Sequence, residues 1–90
     1  MNIPKPSMKG LVDYLADCNV IKTKQVYNSM LQVDRGDFIS PKSYYDNPQS
    51  IGYNTTISAP HMHAHALEYL SSFLKPNIHV LDVGSGSGYL

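Results

Sequence analysis

Apolar side chains recur at helical spacing in three stretches of the chain. Residues 8–18 show this spacing directly after Ser7, which is suited to an N-cap, so they predict an amphipathic helix. Residues 26–33 repeat the pattern behind Thr23, which predicts a second helix that residues 34–37 end. A third helix is predicted to begin near Ser58, with Pro60 in its first turn, and to end at residues 75–77. Its apolar face is expected to contain Met62, Ala66, Tyr69 and Phe73, broadened by Leu67, Leu70 and Leu74.

The segments between these helices have no sustained period. Residues 1–6 contain two prolines and indicate an extended arm, and residues 36–58 indicate an ordered irregular loop. Near the end of the chain, the short apolar run Ile78–Val83 predicts a strand, and five residues with alternating glycine, 84–88, follow it at once. A strand that leads into closely spaced glycines is typical of the opening of a nucleotide-type α/β unit.

Composition narrows the class of protein. The 90 residues suffice for one small domain, and the 7 basic and 7 acidic side chains form no basic stripe that would favour nucleic-acid binding. We find neither a signal peptide nor an apolar run of membrane-spanning length. A single cysteine, Cys18, fits a reducing compartment and is expected to be a small buried side chain on the first helix. These features predict a cytoplasmic protein with no nucleic-acid or membrane partner.

The glycine run allows three ligand-binding interpretations, a P-loop, a dinucleotide site and a methyltransferase motif, besides a plain turn. A phosphate-binding P-loop requires Lys-Ser or Lys-Thr after its last glycine, and Tyr89-Leu90 stand there instead. A dinucleotide fingerprint has the spacing G-x-G-x-x-G and an acidic residue about 20 positions later, whereas here the spacing is G-x-G-x-G and Asp82 comes before the glycines. The P-loop is therefore excluded. A dinucleotide site, which would indicate a dehydrogenase, and a plain strand-to-helix turn remain as alternatives to a methyltransferase motif.

An acid at a strand end followed by G-x-G-x-G resembles the first motif of class I methyltransferases. S-Adenosyl-L-methionine carries no phosphate but has an ammonium and a sulfonium group, so the carboxylate of Asp82 can attract its ammonium. Small residues in the loop let the amino-acid tail of this cofactor lie against the backbone. Asp82, Gly84, Ser85, Gly86 and Gly88 are therefore predicted cofactor-binding residues.

A second motif lies upstream, in the run Thr-Ile-Ser-Ala-Pro-His-Met-His of residues 56–63. Together with Val80–Gly88 it resembles the protein-L-isoaspartate (D-aspartate) O-methyltransferase family in its eukaryotic form. Further matching pieces are Asn19-Val20-Ile21-Lys22, Met30-Leu31, Asp34-Arg35 and Tyr45-Asp46-Asn47-Pro48-Gln49. The resemblance covers nearly the whole chain apart from its first few residues.

The resemblance implies a function and a fold. The family transfers a methyl group from S-adenosyl-L-methionine to the free carboxylate of isoaspartyl, and some D-aspartyl, residues in damaged proteins and peptides, which initiates their repair. It implies an α/β, Rossmann-like class I fold and a monomeric enzyme. Residues 1–76 then correspond to the N-terminal helical and loop segment, and residues 77–90 to the first strand and glycine loop of an incomplete cofactor-binding domain.

The resemblance also assigns residues to the site. Ser58 is implied to be the active-site serine, whose hydroxyl can orient the substrate carboxylate without being ionised; an ordinary helix N-cap is the other role open to it, and the two are compatible. The family places Thr55, Thr56, Ile57, Ser58 and His63 beside the cofactor. A metal site at His61, His63 and His65 is not expected, because on a helix only His61 and His65 share a face and two ligands are too few for zinc.

The family's fold needs further strands, so we expect the chain to be a truncated part of the enzyme. Two hypotheses follow. The function belongs to the full-length methyltransferase, or the chain is a genuine short product that is not an enzyme, such as a non-catalytic interaction fragment.

Overall fold

Three helices and one β-hairpin make up the described part of the chain. The computed structural model describes residues 7–40, 43–52 and 55–90. In chain order the elements are α1 (Met8–Asp17), α2 (Lys24–Gln32), β1 (Gln49–Gly52), β2 (Thr55–Ile57) and α3 (Pro60–Leu70), with 3₁₀ turns at Arg35–Asp37 and Ser71–Phe73. The predicted arm over residues 1–6 lies outside the described residues.

The first two helices begin at the predicted caps. The hydroxyl of Ser7 accepts a hydrogen bond from the backbone N–H of Gly10 at 3.1 Å, and that of Thr23 accepts one from Val26 at 3.3 Å. Each cap satisfies a backbone donor that has no partner within its helix, which fixes where the helix starts. Both predicted N-caps are confirmed.

The apolar core lies where α1, α2 and α3 meet. Its buried members are Met8, Leu11, Val12 and Leu15 of α1, Ile21 of the connection, Val26 and Met30 of α2, and Ala64 of α3. The spacing of the α1 members is that of one helical face, so the amphipathic pattern in the sequence accounts for this packing. None of the helices among the described residues is long and apolar enough to cross a lipid bilayer.

Cys18 is exposed, so the prediction that it is buried on the first helix is wrong. Helix α1 ends at Asp17, and Cys18 forms its C-cap. Asn19 then adopts a positive φ of 62°, which turns the chain away from the helix axis. The side chain of Cys18 therefore falls outside the apolar stripe.

The β-hairpin occupies a segment that the sequence analysis assigned to an irregular loop. β1 and β2 pair in antiparallel register through Gln49↔Ile57, Ser50↔Thr56 and Gly52↔Thr55, with an irregularity between Ser50 and Gly52. Strands of four and three residues are too short to show a sustained alternation, which is why the pattern did not reveal them.

The predicted apolar face of the third helix is largely exposed. Met62 is 57% exposed, Tyr69 86% and Phe73 69%, whereas Pro60, His63 and Ala64 are buried. α1 and α2 reach only the side of α3 that carries Ala64 and, partly buried, Leu67. Of the expected core face of α3, Leu67 packs against the core, whereas Met62, Tyr69 and Phe73 are exposed.

The strand predicted at Ile78–Val83 is not formed in the described part of the chain. A strand needs a neighbour to pair its backbone groups, and β1 and β2 pair with each other. Val80, Leu81 and Val83 are 71–86% exposed, and Val80 and Leu81 border an apolar cavity of about 340 Å³ against α3. The sheet of this chain is the hairpin, and the parallel α/β sheet is not represented in it.

Candidate functional site

A cleft of about 300 Å³ separates the end of the hairpin and the start of α3 from the glycine loop. This volume lies at the lower end of the range for small-molecule sites. The lining comprises Thr56, Ile57, Ser58, Met62, His63, Ala66, Asp82, Val83, Gly84, Ser85, Gly86, Ser87, Tyr89 and Leu90. Two segments that are about 25 residues apart in sequence thus face each other across one space.

Most of the predicted site residues meet at this cleft. Those that line it are Thr56, Ile57, Ser58, His63, Asp82, Gly84, Ser85 and Gly86. Thr55 and Gly88 do not line it. Thr55 borders the glycine loop nonetheless, because its Cγ2 lies 3.8 Å from where a Cβ on Gly86 would be. The structure therefore brings the two sequence motifs together in space.

Ser58 lines the cleft and does not cap α3. The N-cap of α3 is Ala59, and Pro60 is the first helical residue, so Ser58 lies one position too early to act as the cap. The capping bond comes from Asp46, whose Oδ1 accepts a hydrogen bond from the backbone N–H of His61 at 2.9 Å. The predicted N-cap role of Ser58 is wrong, and the residue is exposed.

The glycine loop turns through conformations that favour glycine. Gly84, Gly86 and Gly88 have φ values of 73°, 56° and 80°. A Cβ at Gly86 would also meet the backbone carbonyl oxygen of Thr56 at 4.0 Å. At Gly84 and Gly86, which line the cleft, the loop backbone therefore has no side chain in front of it, as a ligand that lies along the backbone requires.

His63 is 9% exposed, and its Nδ1 has no hydrogen-bond partner among the described residues. Its ring lies against the ring of Tyr89, with 5.0 Å between centroids. Burial lowers the pKa of His63, and the positive charge of Arg35 lowers it further, while the carboxylate of Asp82 acts in the opposite direction. His63 is therefore neutral at neutral pH, and its ring forms an uncharged wall of the cleft.

Arg35 is a feature that the sequence analysis did not assign to the site. It is fully buried, and its guanidinium donates hydrogen bonds to the carbonyl oxygens of Ser58, at 2.9 Å, and Asn47, at 3.2 Å. The guanidinium carbon is also 5.9 Å from the centroid of the Tyr89 ring. Arg35 is the one arginine in the sequence, and this was the available indication of a special role. Arginine is rarely buried without a specific partner.

The electrostatic character of the cleft favours a cationic ligand group. Among the described residues that line it, Asp82 is the one ionised side chain and there is no lysine or arginine. Hydroxyl groups of Thr56, Ser58, Ser85 and Ser87 supply further hydrogen-bonding atoms. A phosphate would meet a carboxylate here, whereas an ammonium group would be attracted by it.

His61 and His65 lie on the same side of α3, as the helical spacing predicts, with their rings edge to face and 6.4 Å apart. Nδ1 of His61 is 2.9 Å from Oδ1 of Asp46. Within residues 7–40, 43–52 and 55–90, no group of three or more His, Cys, Asp or Glu side chains is placed to hold a metal ion.

Comparison with known proteins covers almost the entire chain. The sequence model of a family described as protein-L-isoaspartate(D-aspartate) O-methyltransferase matches residues 6–90. A protein-L-isoaspartate O-methyltransferase of Caenorhabditis elegans is 54% identical over 80 residues, which cover 89% of this chain and 36% of the relative. Protein-L-isoaspartate O-methyltransferase 1 of Arabidopsis thaliana is 51% identical over 84 residues, or 91% of this chain and 36% of the relative. The chain thus spans about a third of the length of these curated relatives.

The fold has a match among solved structures. A Plasmodium falciparum crystal structure, described as a protein-L-isoaspartate O-methyltransferase in complex with S-adenosyl-L-homocysteine, superposes with a TM-score of 0.90 at 48% sequence identity. The match covers 94% of this chain and 39% of that one. The arrangement of helices, hairpin and glycine loop described above is therefore that of the N-terminal part of the Plasmodium protein.

Proposed function

The chain belongs to the protein-L-isoaspartate(D-aspartate) O-methyltransferase family, and we propose that it contributes the substrate serine and the first cofactor loop to methyl transfer from S-adenosyl-L-methionine. The acceptor is the free carboxylate of L-isoaspartyl, and some D-aspartyl, residues in damaged proteins, whose repair the methylation initiates. Because the chain spans about a third of its relatives' length, we assign this activity to a protein of the family's full length. The S-adenosyl-L-homocysteine in the Plasmodium structure supports the choice of donor.

One observation carries the proposal: Ser58 and Asp82 face the same cleft, and no lysine or arginine lines it among the described residues. The reaction brings together a cofactor that has positively charged groups and a substrate that has a carboxylate. A cleft with a carboxylate on the loop side and a neutral hydroxyl on the hairpin side offers a separate partner for each. The dinucleotide alternative fits less well, because its phosphates would lie beside Asp82.

When bound, S-adenosyl-L-methionine would supply a methyl group attached to a positively charged sulfur. The rest of the cofactor would leave as a neutral thioether. The residues present fit this group. Asp82 lines the cleft and would bind its ammonium, and the backbone at Gly84 and Gly86 would admit its amino-acid tail without a Cβ in the way.

Ser58 acts on the substrate rather than on the cofactor. A carboxylate is already ionised at neutral pH, so the site needs no strong base, and neutral His63 is not required to accept a proton. The hydroxyl of Ser58 donates a hydrogen bond that orients one carboxylate oxygen, while the packed rings of His63 and Tyr89 restrict water. Alignment and partial desolvation are the contributions of this part of the chain.

The test is methyl transfer by a family-length protein to an isoaspartyl peptide, with the aspartyl isomer as the substrate control. We expect the Ser58→Ala variant to lose about 10²-fold in kcat, because a misoriented nucleophile loses the effective-molarity advantage. Ser72→Ala, which removes an exposed hydroxyl remote from the cleft, is the matched control. Equal methylation of both peptide isomers contradicts the proposed function, and an S58A enzyme with the turnover of S72A contradicts the role of Ser58.

The alternative is that the 90-residue chain by itself is a non-catalytic fragment. Its specific support is the exposure of Val80, Leu81 and Val83 directly before the glycine loop, which leaves that side of the cleft without a packed strand. The same peptide assay on the 90-residue chain distinguishes the two, since turnover by this chain alone excludes the fragment hypothesis.

A further inference from the structure

Arg35 joins the two ends of the β-hairpin from behind. Asn47 lies two residues before β1 and Ser58 directly follows β2, so both carbonyls are at the open end of the hairpin. Nη1 donates to Ser58 and Nη2 donates to Asn47. One rigid guanidinium therefore spans the gap between the chain that enters the hairpin and the chain that leaves it.

The hairpin has little else to hold it in one position. Its ladder consists of three residue pairs and includes an irregularity. Two-stranded ribbons of this kind are marginal on their own in water. Since β2 runs directly into Ser58, any movement at the open end of the hairpin moves Ser58 with respect to the glycine loop.

The environment of Arg35 argues against a role in filling space. The side chain is fully buried, and none of the described carboxylates forms an ion pair with it. Its Nε also lacks a hydrogen-bond partner among the described residues. Burying an unneutralised charge is costly, and a methionine would fill a similar volume without that cost. An apolar side chain cannot supply the two hydrogen bonds that the guanidinium donates to the hairpin, nor its charge 5.9 Å from the Tyr89 ring.

We propose that Arg35 is a positioning residue that clamps the open end of the hairpin and so holds Ser58 at the cleft. Arg35 contacts neither the cofactor nor the substrate, because its side chain has no exposed surface. The expected effect on turnover rests on the proposed function. The effect of Arg35 on the hairpin itself can be measured without any enzymatic activity.

The first experiment follows amide hydrogen exchange in the variants Arg35→Met and Arg35→Lys, with Lys75→Met as a control that removes an exposed cation. R35M should accelerate exchange of the β1 and β2 amides by about tenfold or more, since the hydrogen bonds of a charged group are lost. Amides of α1 and α2 should exchange as in K75M. R35K should lie between the two, because an ammonium is a point donor and does not reproduce the planar fork.

The second experiment measures methyl transfer to an isoaspartyl peptide in a family-length protein. R35M should lower kcat by about 10²-fold, since a small displacement of an orienting group has an effect of that size. Binding of S-adenosyl-L-homocysteine should stay close to that of K75M, because the glycine loop makes no hydrogen bond to Arg35. A purely structural defect would instead weaken ligand binding and turnover together.

The outcomes separate this inference from the proposed function. The clamp is overturned if R35K and R35M show the same hairpin exchange and the same kcat as K75M. It is also overturned if both variants lose the whole fold, because Arg35 would then be a general folding residue. If the unsubstituted protein fails to methylate the peptide, the proposed function is wrong, and the exchange comparison still decides whether Arg35 clamps the hairpin.

Discussion

The carboxylate of Glu68, in the last turns of α3, accepts a hydrogen bond from the backbone N–H of Thr23, the N-cap of α2, at 2.8 Å. The same oxygen, Oε2, accepts a second bond from the N–H of Lys22 at 2.6 Å. A negative charge at a helix N-terminus is favourable because the first N–H groups of the helix have no partner within it. Glu68 thereby links α3 to the start of α2, through two residues that are 45 positions apart in sequence.

Replacement of Glu68 by glutamine should lower the free energy of unfolding by about 1 kcal/mol, because the neutral amide accepts these bonds less strongly and the site is partly exposed. Urea denaturation followed by circular dichroism measures the change. Asp17→Asn is the matched control, since it neutralises an exposed carboxylate on α1. An E68Q variant as stable as D17N would contradict the capping role of Glu68.

Asp46 should stabilise the start of α3, because Ala59 at the N-cap has no side chain that can accept a hydrogen bond. We expect Asp46→Ala to lower the free energy of unfolding by about 1 kcal/mol, the usual effect of losing a side-chain cap. Thermal denaturation compares this variant with Asp17→Ala. The prediction fails if both substitutions shift the melting temperature equally.

The buried ring of His63 should make stability depend on pH. Its folded-state pKa is below the unfolded value of about 6.5, so the unfolded chain binds the proton more readily as the pH falls. The free energy of unfolding should therefore be independent of His63 above neutral pH and decrease as the pH falls from about 6.5 through the folded pKa. His63→Gln should reduce this decrease, whereas His65→Gln, which removes an exposed ring, should leave it in place.

Two neighbours should move the pKa of His63 in opposite directions, as followed by NMR titration of its ring protons. Arg35→Met should raise this pKa because a positive charge is removed, and Asp82→Asn should lower it because a negative charge is removed. Shifts of the same sign in the two variants would contradict the arrangement of charges around the cleft.

Asp82 should contribute to cofactor affinity if it binds the ammonium group. In a family-length protein we expect Asp82→Asn to weaken binding of S-adenosyl-L-homocysteine by about tenfold to hundredfold, the range for a hydrogen bond between charged groups. Isothermal titration calorimetry against Asp17→Asn measures the difference. Because S-adenosyl-L-homocysteine retains the ammonium but lacks the sulfonium charge, equal affinities in the two variants would remove Asp82 from the ammonium site.

Local chemistry in the sequence predicted the helices and the motifs. The caps Ser7 and Thr23 and the apolar spacing of α1 act within a few residues, so they can be read from the order of amino acids. The same holds for the G-x-G-x-G loop, whose glycines permit the positive φ values found at Gly84, Gly86 and Gly88. Membership of the methyltransferase family was likewise available from two short motifs.

Tertiary contacts determined the structural features that no local sequence pattern predicts. The hairpin depends on pairing and on Arg35, which lies 12 residues from Asn47 and 23 from Ser58, and the cap of α3 comes from Asp46, 15 residues before His61. Ser58 precedes the N-cap residue Ala59, so its hydroxyl does not cap α3. Which face of α3 is buried, and whether Ile78–Val83 forms a strand, depend on the partners that pack against them, because burial and ladder pairing are properties of two surfaces and not of one segment.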